Sequence, residues 1–206
     1  MSRVLVCGMY RSGTTFIHEM LKQVVSKVDA NYELKKPHLG WGRRLKPLED
    51  DILIYCYRDV RDIIVSYCQS RKFTYDSFKI HANNPQSLIY KLIDLDDRVR
   101  SHPTNKLTLR YETDIFGKEL EVLNKITNLI EIDGRYNLEV SNNFKIEKIK
   151  KITDKIEKFK HSVSNWWPNH VTDGKSGKWK DYFTNELDWI ENDDKVKSWL
   201  IKNNYE

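Results

Sequence analysis

The sequence predicts an α/β layered fold with a mainly parallel sheet, and three observations lead there. Val4 to Cys7 and Ile52 to Tyr57 are continuous apolar runs, the pattern of strands covered on both faces. Both pass within a few residues into segments whose apolar positions recur at helical spacing. Further along, strand-like and helix-like patterns keep alternating.

Taken in order, Val4–Cys7 is a buried strand bounded by Gly8. The helix after it places Phe16, Met20, Leu21, Val24 and Val28 on one face and ends between Ser26 and Asn31. Tyr32–Lys35 reads as a second strand, stopped before Pro37. Ile52–Tyr57 is the central buried strand, and Arg58–Arg71 a helix with Ile63, Ile64 and Tyr67 inward. Pro85–Arg100 is a helix with Leu88, Leu92 and Val99 inward. Lys106–Tyr111 alternates as a strand, and Leu120, Leu123, Ile126 and Ile130 mark another helix. Phe144–Lys160 is an amphipathic helix with a lysine-rich outer face, read mainly as a solvated face and secondarily as a surface for an anion. Ser162–Lys178 reads as a loop and Asn185–Asn203 as one closing helix.

The 206 residues suit one domain over 1–206 that needs no disulfide or metal staple. Aromatic residues at 12% argue against disorder, and no apolar run approaches the length of a membrane span. The three cysteines, Cys7, Cys56 and Cys68, lack metal-ligand spacing and read as buried thiols of a cytoplasmic protein. A net charge of +5 suits an anionic ligand without calling for nucleic acid.

Two segments carry chemistry. Gly8-Met-Tyr-Arg11-Ser12-Gly13-Thr14-Thr15 follows a strand and opens a helix. Glycines let the backbone curl until several N–H groups converge, and the helix N-terminus adds partial positive charge, so a phosphate or sulfate fits there. The spacing is that of the nucleotide triphosphate loop, but Thr14 occupies its lysine position and Arg11 stands earlier. The second segment, Arg58-Asp-Val-Arg-Asp62-Ile-Ile-Val-Ser66, also runs from a strand into a helix. Arg58 at the strand end, with Ser66 two helical turns on, makes a second phosphate seat; a plain Arg58–Asp62 ion pair is the alternative.

Together these segments resemble the sulfotransferases that use 3′-phosphoadenosine 5′-phosphosulfate (PAPS) and release adenosine 3′,5′-bisphosphate (PAP). Tyr10-Arg-Ser-Gly-Thr-Thr-Phe16 is similar to the family's 5′-phosphosulfate loop, with Arg11 for the common lysine. Tyr57-Arg58-Asp-Val-Arg-Asp62-Ile-Ile-Val-Ser66-Tyr67 resembles its 3′-phosphate motif. Leu109-Arg-Tyr111-Glu112 resembles a strand end whose tyrosine lies near the nucleotide, and Gly174-Lys175-Ser-Gly177-Lys-Trp179-Lys-Asp-Tyr-Phe183-Thr184 resembles the late motif. The resemblance implies a three-layer, P-loop-like fold, a central mainly parallel sheet flanked by helices. It implies an enzyme that moves a sulfuryl group from PAPS to a hydroxyl or amine by in-line displacement with a general base. It assigns cofactor contacts to Arg11, Ser12, Gly13, Thr14, Thr15, Phe16, Arg58, Ser66, Tyr111, Phe144, Gly174 and Lys175, and no metal.

Lys35-Lys36-Pro37-His38-Leu39 resembles the segment that carries the family's base and a cation for the transferring group, which points to His38 and Lys36 as catalytic residues beside Arg11. A neutral histidine can accept the acceptor's proton near neutral pH. Glu33 is the rival base, as in the family's carboxylate branch, and His18 reads as structural. The late motif's arginine–lysine pair falls on Thr172-Asp173, with Lys175 or Lys178 as substitutes. A shortened interval between Arg11 and His38 implies a reduced lid or a more open acceptor cleft. The acceptor class is a small molecule or a glycan, and the expected state is monomer or homodimer; Trp166-Trp167 either stack a sugar or phenol or pin the late loop to the core. A P-loop nucleotide or small-molecule kinase, or a non-catalytic nucleotide- or glycan-binding relative, are the alternatives.

Overall fold

The computed structural model describes residues 3–37, 50–82, 84–154, 175–183 and 186–205. Four strands, β1 (Arg3–Gly8), β2 (Glu33–Lys35), β3 (Ile52–Tyr57) and β4 (Lys106–Arg110), form one sheet in the order β2-β1-β3-β4, every pairing parallel. The predicted strands are all present within a residue or two. Side chains alternate across the sheet. Val4, Val6, Ile54, Cys56 and Leu109 enter one core, while Leu5, Cys7, Leu53 and Tyr55 face the other side. Helices cover both faces, which gives the three expected layers.

On the first face lie α1 (Thr14–Lys27), α5 (Glu119–Leu129), α6 (Asn137–Asn143) and α7 (Ile146–Thr153); on the other, α2 (Val60–Arg71), α3 (Tyr75–Ala82) and α4 (Pro85–Ser101). The short α8 (Trp179–Tyr182) and α9 (Asp188–Glu191) and then α10 (Asp194–Lys202) join this second layer. Asp59 caps α2 by accepting from the Arg61 N–H at 2.9 Å, so Arg58 stays extended at the strand end. A π-helical turn, Tyr111–Ile115, follows β4 and is closed by Asp114 accepting from the Arg110 N–H.

The closing segment departs from the expectation of one helix over 185–203. Helix α9 ends at Glu191, and the Asp193 carboxylate accepts from the Val196 N–H at 3.1 Å to start α10 afresh. A capping aspartate inside an apolar periodicity broke the run. The basic amphipathic segment likewise begins as α7 at Ile146, with Phe144 at the C-terminal cap of α6. Its continuation over 155–160 lies outside the described residues. All three cysteines are free and buried, and burial pushes Cys7 up to about 12 and Cys68 up to about 11, so both are protonated thiols at neutral pH. Among the described residues, no helix is long and apolar enough to cross a membrane.

Candidate functional site

Strand order 2-1-3-4 puts the reversal of direction between β1 and β3, and open parallel sheets bind ligands outside the carboxyl ends of such a pair. Both predicted anion segments leave the sheet there, one after Gly8 and one after Tyr57.

The loop after β1 is shaped by close packing. A Cβ on Gly8 would lie 2.2 Å from the Cys56 carbonyl oxygen, so only glycine lets the two strands diverge into the loop at this spacing. The Met9 N–H donates to that carbonyl at 2.9 Å. The Ser12 hydroxyl is turned inward, 2.7 Å from the Met9 carbonyl and 2.9 Å from that of Cys56. Ser12 therefore shapes the loop with its side chain. Arg11 (φ 59°) and Gly13 (φ 86°) both sit in the left-handed region, and α1 begins directly after, at Thr14. A non-glycine residue held there costs about 1–3 kcal/mol, the kind of strain retained at ligand clamps. Tyr111 and Ile115 of the π-helical turn pack against Gly13 from above.

Arg58 emerges from β3 into this corner and is buried, with its guanidinium 3.9 Å over the Tyr111 ring. Its Nη1 donates to the Arg11 carbonyl and its Nη2 to the Lys175 carbonyl, both at 3.2 Å. Its Nε finds no hydrogen-bond partner among the described residues. The Arg58–Asp62 approach is a loose 3.8 Å, because the Asp62 carboxylate is engaged elsewhere. It accepts from the backbone N–H of Gly177 at 2.6 Å and of Trp179 at 3.2 Å. Asp62 thus clasps the late segment over α2, and the Arg61 guanidinium stacks 3.9 Å from the Trp179 ring beside it. Burial raises the Asp62 pKa, with Arg58 and the Gly177 N–H pulling the other way.

Ser66, assigned with Arg58 to the second seat, receives the Arg11 Nε at 3.0 Å. The two predicted anion segments are therefore in direct contact. Burial pushes the Arg11 pKa down, the phenol of Tyr10 opposes this, and the neighbouring Arg58 cation adds to the depression. Tyr111 is raised by burial, with Arg58 and then Arg11 opposing. Two guanidiniums, Arg11 and Arg58, are gathered about the Tyr111 ring, with the carboxylates of Asp62 and Glu112 close by.

Lys36, just past β2, reaches the same loop from its other side, with its Nζ 3.0 Å from the Thr15 hydroxyl. Glu33 does not. It is in register with Arg3 at the start of β1 and its carboxylate is 2.8 Å from Lys35. Five residues of strand, about 16 Å, separate that level from Gly8. Phe16 and Phe144 stand edge to face in the core, ring centroids 5.7 Å apart. Thr14 is half-buried, its methyl beneath Gly8. His38, Gly174, the Thr172-Asp173 pair and Trp166-Trp167 lie outside the described residues.

No protein-family model and no curated protein sequence matches this chain. Solved structures do. A mouse sulfotransferase, SULT7A1, complexed with PAP matches with a TM-score of 0.57 at 13% identity, over 93% of this chain and 82% of that one. Retinol dehydratase in complex with androsterone and the inactive cofactor PAP matches with a TM-score of 0.57 at 16% identity, over 98% of this chain and 80% of that one. This chain has the sulfotransferase fold.

Within that fold, two contacts were not singled out from the residues. One is the Asp62 clasp, whose spacing from Arg58 suggested only an ion pair. The other is Glu19, buried on α1 one turn beyond Thr15. Its signal was a carboxylate inside an otherwise apolar helical stretch.

Proposed function

We propose that this protein is a sulfotransferase that binds PAPS at the β1–β3 corner and transfers its sulfuryl group to a hydroxyl or amine acceptor. One observation carries the reading. A left-handed glycine loop at a helix N-terminus adjoins the buried guanidinium of Arg58 and the half-buried one of Arg11, and the Asp62 carboxylate near Arg58 is engaged with backbone N–H groups. Such a corner carries net positive charge in low dielectric, and an anion with two phosphate ends offsets it. The Arg58 Nε, which has no partner among the described residues, is a buried donor that a phosphate oxygen satisfies. The PAP in both matching structures supports the choice of nucleotide.

Bound PAPS supplies an activated sulfuryl group. On this reading Arg58 and Ser66 hold the 3′-phosphate, and Arg11, Gly13, Thr14 and Thr15 hold the 5′ end. Lys36, seated on Thr15, presents its ammonium to the transferring group and to the charge that grows on the leaving phosphate. His38, two residues beyond Lys36, takes the acceptor's proton on a ring nitrogen as the acceptor oxygen attacks sulfur. Phe16 and Phe144 shape the wall behind the loop from the core. The acceptor is a small molecule or a glycan, and the protein works in the cytoplasm.

The test is a melting-temperature comparison of PAP, AMP and ATP with Mg²⁺, followed by turnover of labelled PAPS on pooled phenols, sterols, glycans and tyrosine peptides. A clear preference for PAP with sulfated product supports the reading. A preference for ATP with Mg²⁺ would move the protein to the P-loop kinases, and PAP binding without product to the non-catalytic relatives.

A further inference from the structure

Helix α1 carries a second buried face. Phe16, Ile17, Met20, Leu21 and Val24 enter the core on one side. At 100° per residue, Thr15, His18 and Glu19 fall on the opposite side, yet all three are buried as well. An imidazole and a carboxylate are seldom buried without a polar task. His18 and Glu19 meet each other, with Nδ1 3.1 Å from Oε1. Thr15 and Glu19, four residues apart, share one line along the helix, and the Lys36 ammonium already sits on Thr15.

We propose that Glu19, braced by His18, is a positioning residue for Lys36, an electrostatic anchor that holds the ammonium over Thr15 at the foot of the phosphate loop. The role of that ammonium in group transfer rests on the sulfotransferase reading; the anchor itself does not. Burial lowers the Lys36 pKa and the Glu19 charge raises it. Glu19 therefore works against the desolvation that would otherwise strip the proton from a lysine in this position. Among the described residues, Glu19 is the charged group α1 turns toward Lys36, with His18 beside it. On β2, just before Lys36, Lys35 and Glu33 pair with each other at 2.8 Å. The His18–Glu19 contact fixes the carboxylate as a second group fixes a catalytic residue's partner.

The experiment follows the lysine side-chain ¹³Cε resonances of the full chain through a pH titration, with Lys36 assigned by its loss in Lys36→Arg. In Glu19→Gln the Lys36 midpoint moves to lower pH, and in Glu19→Asp, whose carboxylate is one methylene shorter, it moves the same way by less. An unchanged Lys36 midpoint in a folded Glu19→Gln overturns the proposal. Should that variant fail to fold, an unchanged midpoint in Glu19→Asp overturns it equally. PAP binding is measured on the same samples. Its absence from the wild type would refute the sulfotransferase reading while leaving the titration result to judge the anchor.

Discussion

Replacing Arg58 by lysine keeps the charge at the second anion seat and removes the planar fork. In the structure the guanidinium lies over the Tyr111 ring, ties its two Nη groups to the Arg11 and Lys175 carbonyls, and has no partner for Nε among the described residues. A lysine ammonium neither stacks in that way nor donates along the Nε direction. One charge-assisted hydrogen bond contributes about 1.5–3 kcal/mol. At about 1.4 kcal/mol per factor of ten, its loss weakens PAP about 10- to 150-fold. AMP lacks the 3′-phosphate, so its affinity should change only a few-fold. Isothermal titration of both nucleotides at fixed ionic strength, with melting curves of the free variant, reads the difference directly. Equal losses for PAP and AMP would mean that Arg58 acts by shaping the loop through the Arg11 carbonyl. An unchanged PAP affinity would mean that Arg58 is no ligand at all.

Gly8→Ala puts a methyl 2.2 Å from a backbone oxygen and should lower unfolding free energy by at least about 1–3 kcal/mol in urea titrations; an unperturbed midpoint would refute the close-approach argument. Asp62 is raised above the ordinary carboxylate value of 3.8, so the folded chain holds that proton longer than the unfolded chain does. Its contribution to stability is therefore greatest below that value and is lost as pH rises through the folded one. The stability of the wild type relative to Asp62→Asn should fall as pH rises above the ordinary carboxylate value of 3.8, a difference in which the similarly raised Glu112 cancels. A rising difference would reverse the assignment. Glu33→Gln should leave PAP binding and turnover intact, since Glu33 stands level with Arg3; a folded but inactive variant would restore the carboxylate as base.

The strands were legible because parallel strands buried on both faces read as bare apolar runs, and Val4–Cys7 and Ile52–Tyr57 have no competing interpretation. The loop was legible because left-handed backbone and close approach leave a glycine mark, at Gly8 and Gly13. Hydrogen bonds between distant elements leave no such mark. Arg11 meets Ser66 across 55 residues, and Gly177 meets Asp62 across 115. The break before Asp194 was missed because Leu187–Ile190 and Val196–Trp199 each keep a helical interval, while the step from Ile190 to Val196, a turn of about 240° at 100° per residue, was not followed and is where the capping aspartate sits. The unread short helices α3 and α6 owe their form to packing on neighbours more than to periodicity. The level of Glu33 was not legible either, because the parallel register that pairs it with Arg3 is set by the neighbouring strand.

The C-terminal end of the described chain touches the site by an indirect route. Tyr205 donates its hydroxyl to Glu112 at 2.8 Å, and Glu112 accepts from the Asp59 N–H at 3.0 Å, immediately before α2 and next to Arg58. The Arg61 guanidinium also bonds the Tyr205 carbonyl, and the Tyr205 ring stacks on Trp199 of α10. Fraying of α10 is thus no local event: it would release the carboxylate that pins the head of α2, and with it the geometry of the anion corner. Helix and corner should open as one cooperative unit, so a ligand at Arg58 would slow amide exchange in Val196–Asn203 without touching that helix.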